Sequence, residues 1–102
     1  MKVSQIEIPE TEIAALCKRH GIRKLGLFGS VLDDRFSASS DIDVLVEFQP
    51  QEHVGFFRLA DIESQLSHLL AGRKVDLRTP KDLSRHFRED VAGNSLILYD
   101  ES

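Results

Sequence analysis

The chain has 102 residues, 41% hydrophobic and 29% charged, with a formal net charge of −4 and one cysteine, Cys17. That length suits a single domain, residues 1–102, able to bury about two-thirds of the surface its unfolded chain exposes. An internal disulfide is excluded by the single cysteine, and no apolar run approaches the ~20 residues of a membrane span. The acidic balance argues against a broad nucleic-acid surface, because such a surface neutralises several phosphates with Lys or Arg.

The opening residues, MKVSQIEIPE, lack the long apolar centre of a signal peptide, so a cytoplasmic location is the expectation. Pro9, Glu10 and Glu12 read as a helix start, since Pro suits the first turn and acids suit the positive helix end. Ile13, Leu16, Cys17 and His20 recur at helical spacing and give that helix an apolar face. Gly21 is its natural stop. Arg23 to Phe28 reads as a strand, and Val31 to Asp34 as one short helical turn. A second strand, Ile42 to Phe48, ends at Pro50, with Ile42, Val44, Val46 and Phe48 facing the core. Gln49 to Gly55 is a loop. Phe56, Leu59, Ala60, Ile62, Leu66, Leu69 and Leu70 predict a long helix stopped by Gly72, with the Phe56-Phe57 pair read as core. One ring of that pair must face outward or into an interface, a weak pointer to a homo- or hetero-oligomer.

Lys74 to Thr79 reads as a third strand. Pro80, Lys81 and Asp82 then open a last helix carrying Leu83 and Phe87, and Leu96 to Tyr99 forms a short fourth strand. The order predicts a small β-sheet flanked by helices, an α/β (α+β) arrangement. No repeat, linker or low-complexity segment interrupts it. His53, His68 and His86 are scattered without metal-ligand spacing. The basic clusters Lys18-Arg19, Arg23-Lys24, Arg73-Lys74 and Arg85 to Arg88 read as solvated ends and edges. Arg73 and Arg78 have the better claim to a phosphate or partner, because they flank Asp76.

The chemistry concentrates between Lys24 and Phe48. Gly29-Ser30 follows an apolar run; ten residues later comes Asp41-Ile42-Asp43, leading into a second apolar run. Strand side chains alternate, so Asp41 and Asp43 point to one side. Paired carboxylates suit hard divalent cations, Mg²⁺ above all beside a phosphate. Gly29 lets the backbone approach an anion without a Cβ in the way. If Val31 opens a helix, the Ser30 hydroxyl and the first free N–H groups face the same anion. The competing reading of Ser30 is a helix N-cap, and that of Asp41 a turn residue. Asp76, with Lys74 or Arg73 as a possible ion-pair partner, is a third acid on a later strand.

This Gly-Ser, ten-residue, Asp-x-Asp spacing resembles the signature of the polymerase-β-type nucleotidyltransferase superfamily, and the chain is similar to its smallest members, the MNT-domain proteins. The resemblance covers nearly the whole chain, with Lys74-Val75-Asp76-Leu77 at the place of the family's third carboxylate. It implies the polymerase-β-like fold, with catalytic and metal-binding roles for Asp41, Asp43 and Asp76 and nucleotide binding at Gly29 and Ser30. Two Mg²⁺ ions and ATP as substrate are implied with them. It further implies AMP transfer to a hydroxyl of a partner protein, a HEPN-family toxin, the chain being the antitoxin. Where relatives follow Gly-Ser with a small residue, Arg and Gly, this chain has Val31-Leu32-Asp33-Asp34-Arg35-Phe36. Arg35 then either contacts phosphate from a shifted position or is a solvated surface residue. That departure keeps open a catalytically silent antitoxin that acts by contact. A small-molecule nucleotidyltransferase stands last, for want of a substrate domain.

Overall fold

The computed structural model describes residues 1–84, 89, 91 and 93–101. It opens with a hairpin that the sequence reading did not assign: β1 (Lys2–Val3) pairs antiparallel with β2 (Ile6–Glu7). The connecting Ser4 and Gln5 both have positive φ, 48° and 69°. That is the conformation a two-residue hairpin turn requires, and Ser-Gln lacks the Asn-Gly signature that would announce it.

Helix α1 (Glu10–Arg19) carries Glu10 and Glu12 in its first turn and Lys18 and Arg19 in its last, matching the helix dipole at both ends. It buries Ile13, Leu16 and Cys17. Gly21, at φ 65°, turns the chain into β3 (Ile22–Phe28). A 3-10 turn, Gly29–Leu32, follows, then β4 (Ile42–Phe48), α2 (Phe56–Leu69) and β5 (Val75–Arg78). A second 3-10 turn spans Pro80–Asp82, and β6 is Leu96–Asp100.

The main sheet has the order β5-β4-β3-β6. β3 is antiparallel to both β4 and β6, whereas β4 and β5 run parallel. A parallel pair needs a crossover, and α2 supplies it. Alternation divides the strand residues between two faces. Leu25, Leu27, Ile42, Val44, Val46 and Val75 bury one face together with Ile13 and Leu16 of α1 and Ile62 and Leu66 of α2. The opposite face carries a smaller cluster of Phe28, Leu45, Leu83 and Val91. No helix among the described residues is long and apolar enough to cross a membrane.

Four expectations need correction. The short turn begins at Gly29 rather than Val31, because Gly29 at φ 77° bends the chain directly off the end of β3. Phe56 and Phe57 are not core: they are 78% and 88% exposed and pack edge to face on each other, with ring centroids 5.9 Å apart. Ala60 is exposed as well, and the buried positions of α2 begin at Ile62. Lastly, Pro80 opens only a three-residue 3-10 turn. Asp82 accepts from the Thr79 N–H at 2.9 Å and Leu83 is already extended, so no α-helix starts there. Glu89, Val91, Gly93 and Asn94 are helical, while Phe87, His86 and the cluster Arg85 to Arg88 lie outside the described residues.

Candidate active site

Asp43 and Asp76 are register partners on the parallel strands β4 and β5. Adjacent strands lie ~4.8 Å apart, so two partners on one face present their carboxylates side by side. On its other side Asp43 pairs with Phe28, the last residue of β3. One row across the sheet, on the face turned away from α1 and α2, thus reads Phe28, Asp43, Asp76.

Gly29 comes next in the chain, and Asp43 reaches it. A Cβ built on Gly29 would collide with Asp43 Oδ2. Two constraints therefore demand glycine here, a left-handed φ and the closeness of a carboxylate. The Gly29-Ser30 turn and the acids are neighbours in space as well as in the motif.

Asp41 lies one residue before β4, and Lys74 Nζ is 3.9 Å from its Oδ2. Asp76 is paired with Arg78, whose Nε and Nη2 each lie 3.1 Å from one carboxylate oxygen. The sequence reading offered Lys74 or Arg73 as the partner of Asp76; both are otherwise engaged. Strand alternation explains the difference. Residues 76 and 78 share a face, whereas 73 and 74 precede the strand.

The three acids act on one another electrostatically. Burial pushes the Asp43 carboxyl above its ordinary value, and the negative charges of Asp76 and Asp41 push it further. Arg78 opposes them in part. With the side chains as they stand, no group of three or more His, Cys, Asp or Glu among the described residues is gathered closely enough to hold an ion. Asp41 and Asp76 are turned toward their own cations. The donor set nevertheless fits a hard dication in kind: carboxylate oxygens, mutual repulsion at Asp43 that Arg78 offsets only in part, and a turn free of side chain beside it.

Ser30 makes no helix-capping bond, and the cap position belongs to Phe28. Arg35 is spent locally. Its Nη2 lies 2.7 Å from Asp33 Oδ2 and its backbone N–H also donates to Asp33. That pairing holds the Asp33 carboxyl below its ordinary value. Arg35 is thus the exposed surface residue of the two readings. Glu47 sits two positions along β4 from Leu45, paired with Arg23 at 3.0 Å.

Two contacts around the site have no sequence signal. The Ser4 hydroxyl donates to the Val31 carbonyl at 2.5 Å, fastening the N-terminal hairpin to the Gly-Ser turn. Arg73 donates to the carbonyls of Ser37 and Ser40, at 2.6 and 2.9 Å.

A sheet-end turn beside acids on adjoining strands is the arrangement of a class of proteins, and comparison shows which. Residues 11–102 match polymerase beta, nucleotidyltransferase, and the chain belongs to that family of enzymes. A Methanocaldococcus jannaschii protein named "Putative protein adenylyltransferase MJ1217" is 32% identical over 82 residues, 80% of this chain and 81% of that protein. "Protein adenylyltransferase MntA" of Thermococcus cleftensis is 37% identical over 62 residues, 61% of this chain and 60% of that one. Among solved structures, "Structure of putative minimal nucleotidyltransferase" is similar with a TM-score of 0.71 at 30% identity, covering 85% of this chain and 86% of the other. "Crystal structure of the toxin-antitoxin with AMP-PNP" holds a chain similar in fold, with a TM-score of 0.70 at 20% identity, covering 90% and 73%. The mixed sheet flanked by helices is therefore the polymerase-β-like fold that the motif predicted.

Proposed function

We propose that the chain transfers AMP from ATP to a hydroxyl of a partner protein, as the antitoxin of a pair whose toxin is of the HEPN family. The observation that carries the reading is the row Phe28, Asp43, Asp76 with Gly29 against Asp43. A glycine turn beside carboxylates on two strands suits an anion held next to a cation. Similarity to protein adenylyltransferases supports the choice of acceptor. So does the net charge of −4, which suits a protein acceptor better than an RNA one.

In this reading residues 1–102 work as one minimal domain in the cytoplasm, and the acceptor is delivered by the partner. Gly29 and Ser30 receive the triphosphate. Asp41 and Asp43 would hold Mg²⁺ beside it, and Asp76 would hold a second ion. Mg²⁺, when bound, supplies charge neutralisation for the attacking and leaving oxygens of an in-line displacement. Asp76 faces the acceptor and helps remove its hydroxyl proton. The acceptor oxygen forms the bond to the α-phosphorus, the bond to the bridging oxygen breaks, and pyrophosphate leaves. Lys74 and Arg78 are the counter-ions of Asp41 and Asp76 until metal and nucleotide take over that role.

The test is incubation with α-labelled ATP, Mg²⁺ and the product of the neighbouring gene. Label on the partner protein together with released pyrophosphate is the expected result. Asp76→Ala should keep ATP affinity, measured by calorimetry, while turnover collapses, the mark of an interaction made mainly in the transition state. Wild-type turnover in Asp76→Ala would leave Asp76 as a mere partner of Arg78. A second reading, a silent antitoxin acting by contact, is favoured by the pairing of Arg35 with Asp33, which leaves that arginine spent locally. It predicts tight partner binding with no label transferred.

A further inference from the structure

The arm that carries Asp41 is held by a residue outside the motif. Residues 33–40 link the Gly-Ser turn to Asp41 with neither helix nor strand. Within this link, Ser37 and Ser40 form a tight turn. The Ser40 N–H donates to the Ser37 carbonyl at 3.1 Å, and the Ser37 N–H donates to Ser40 Oγ at 3.0 Å. Arg73 closes over this turn from the junction between α2 and β5. Its Nη2 donates to the Ser37 and Ser40 carbonyls at 2.6 and 2.9 Å, and its guanidinium carbon lies 4.5 Å above the centre of the Phe36 ring.

Arg73 is itself fixed. Its N–H donates to the Leu70 carbonyl at 3.1 Å, and its carbonyl accepts from the Ser67 hydroxyl at 2.6 Å. On the far side of Asp41, the Ile42 N–H donates to the Lys74 carbonyl at 2.8 Å. Asp41 is thus held at both neighbours by consecutive residues, Arg73 and Lys74, of the segment that leads to Asp76. We propose that Arg73 is a positioning residue that fixes Asp41 relative to Asp43 and Asp76 and so sets the affinity of the three acids for a divalent cation. The proposal rests on the metal reading given under Proposed function.

The side chain suits the task. A planar guanidinium can stack flat on an aromatic ring while its N–H groups reach carbonyls at the rim. Lysine keeps the charge and loses the stacked plane. Residues that orient metal ligands without touching the metal typically carry about 10–100-fold in affinity.

The experiment uses the full chain as wild type, Arg73→Ala, Arg73→Lys and Phe36→Leu. Amide hydrogen exchange at Ser40 and Ile42 is followed in metal-free protein, and Mn²⁺ binding is titrated by electron paramagnetic resonance. Arg73→Ala should exchange at least about tenfold faster at both amides and bind Mn²⁺ about tenfold more weakly. Arg73→Lys should fall between it and wild type. AMP transfer by Arg73→Ala should recover at saturating metal, and a melt of the metal-free variant, showing it folded at the assay temperature, separates a weakened site from a destabilised protein that metal binding would also rescue. Phe36→Leu removes only the stacked ring and should weaken Mn²⁺ binding by a smaller factor; it decides the matter if Arg73→Ala does not fold. Wild-type Mn²⁺ affinity in a folded Arg73→Ala, or in Phe36→Leu should Arg73→Ala not fold, overturns the proposal. Wild-type protein that takes up no Mn²⁺ overturns the metal reading itself, and this proposal with it. The two failures are thereby distinguishable.

Discussion

Asp43 sits in the candidate site where burial and neighbouring charge act on one carboxyl together. Its carboxyl is raised by burial first and then by Asp76 and Asp41. The native state therefore holds that proton more tightly than the unfolded chain does. Stability of the metal-free protein should fall as pH rises from the ordinary carboxylate value, about 3.9, through the raised value of Asp43. Asp43→Asn should flatten that part of the curve and leave the metal-free protein at least as stable at neutral pH, while AMP transfer is lost. Thermal melts in a chelator across the acidic range, with a transfer assay alongside, check both. Full transfer activity at saturating Mg²⁺ would rule the mechanism out.

Cys17 titrates at the other end of the scale. It is wholly buried, and burial, with a smaller push from Glu101, takes its thiol up to about 12. An unfolded thiol ionises more easily, so this group's contribution is present at neutral pH and lost as pH climbs toward 12. The slope should approach about 1.4 kcal/mol per pH unit between the unfolded and folded values. Cys17→Ala should remove that slope from alkaline denaturation curves. In the folded wild type at pH 8, Cys17 should resist iodoacetamide and become reactive only in denaturant.

Among the elements, the turn Gly29–Leu32 has little freedom to vary. Gly29 combines φ 77° with the carboxylate of Asp43 against its Cα. Gly29→Val should cost about 1–2 kcal/mol in backbone strain alone. It should also displace Asp43 and block close approach of the triphosphate. Calorimetric titration of the folded variant with ATP and Mg²⁺ should show affinity down by about tenfold or more, in line with about 1.4 kcal/mol for each factor of ten. Unchanged affinity would mean that the phosphates sit elsewhere. The element most easily altered is the first turn of α2. Phe56→Ser with Phe57→Ser should shift urea stability by no more than about 0.5 kcal/mol, because neither ring is part of the core. A loss of several kcal/mol would show the pair to be packed after all.

At the scale of the whole molecule, one sheet keeps the main core and the candidate site on opposite faces. Its helix-covered face holds the main core, and its other face holds the acid row and the small cluster around Phe28 and Leu45. The crossover through α2 makes β4 and β5 parallel neighbours, and that sets Asp43 beside Asp76. Ligand binding should accordingly register globally. Anything that binds the native state alone stabilises it by about 2.7 kcal/mol at a hundred times its Kd. Mg²⁺ with ATP should raise the melting temperature of the wild type, and should fail to do so in Asp43→Asn. Differential scanning calorimetry of the two proteins reads the contrast directly.

Local pattern was enough for β4, whose predicted bounds, Ile42 to Phe48, are those observed, and within a residue or two for α1, β3 and β5. In each, apolar periodicity agrees with the side chain's burial and with the residues that end the element. The family was legible too, because Gly-Ser and Asp-x-Asp lie close together in one stretch of chain. Three features were decided only by tertiary structure. The Asp43–Asp76 pairing depends on strand register across a crossover. The exposure of Phe56 and Phe57 depends on where α2 meets the sheet, since helical spacing does not say which turns are covered. The Arg73 clamp and the Lys74–Asp41 and Arg23–Glu47 pairs depend on which sequence-distant groups a flexible cation can reach. Sequence determines what is periodic along one element, and tertiary structure determines which elements become neighbours.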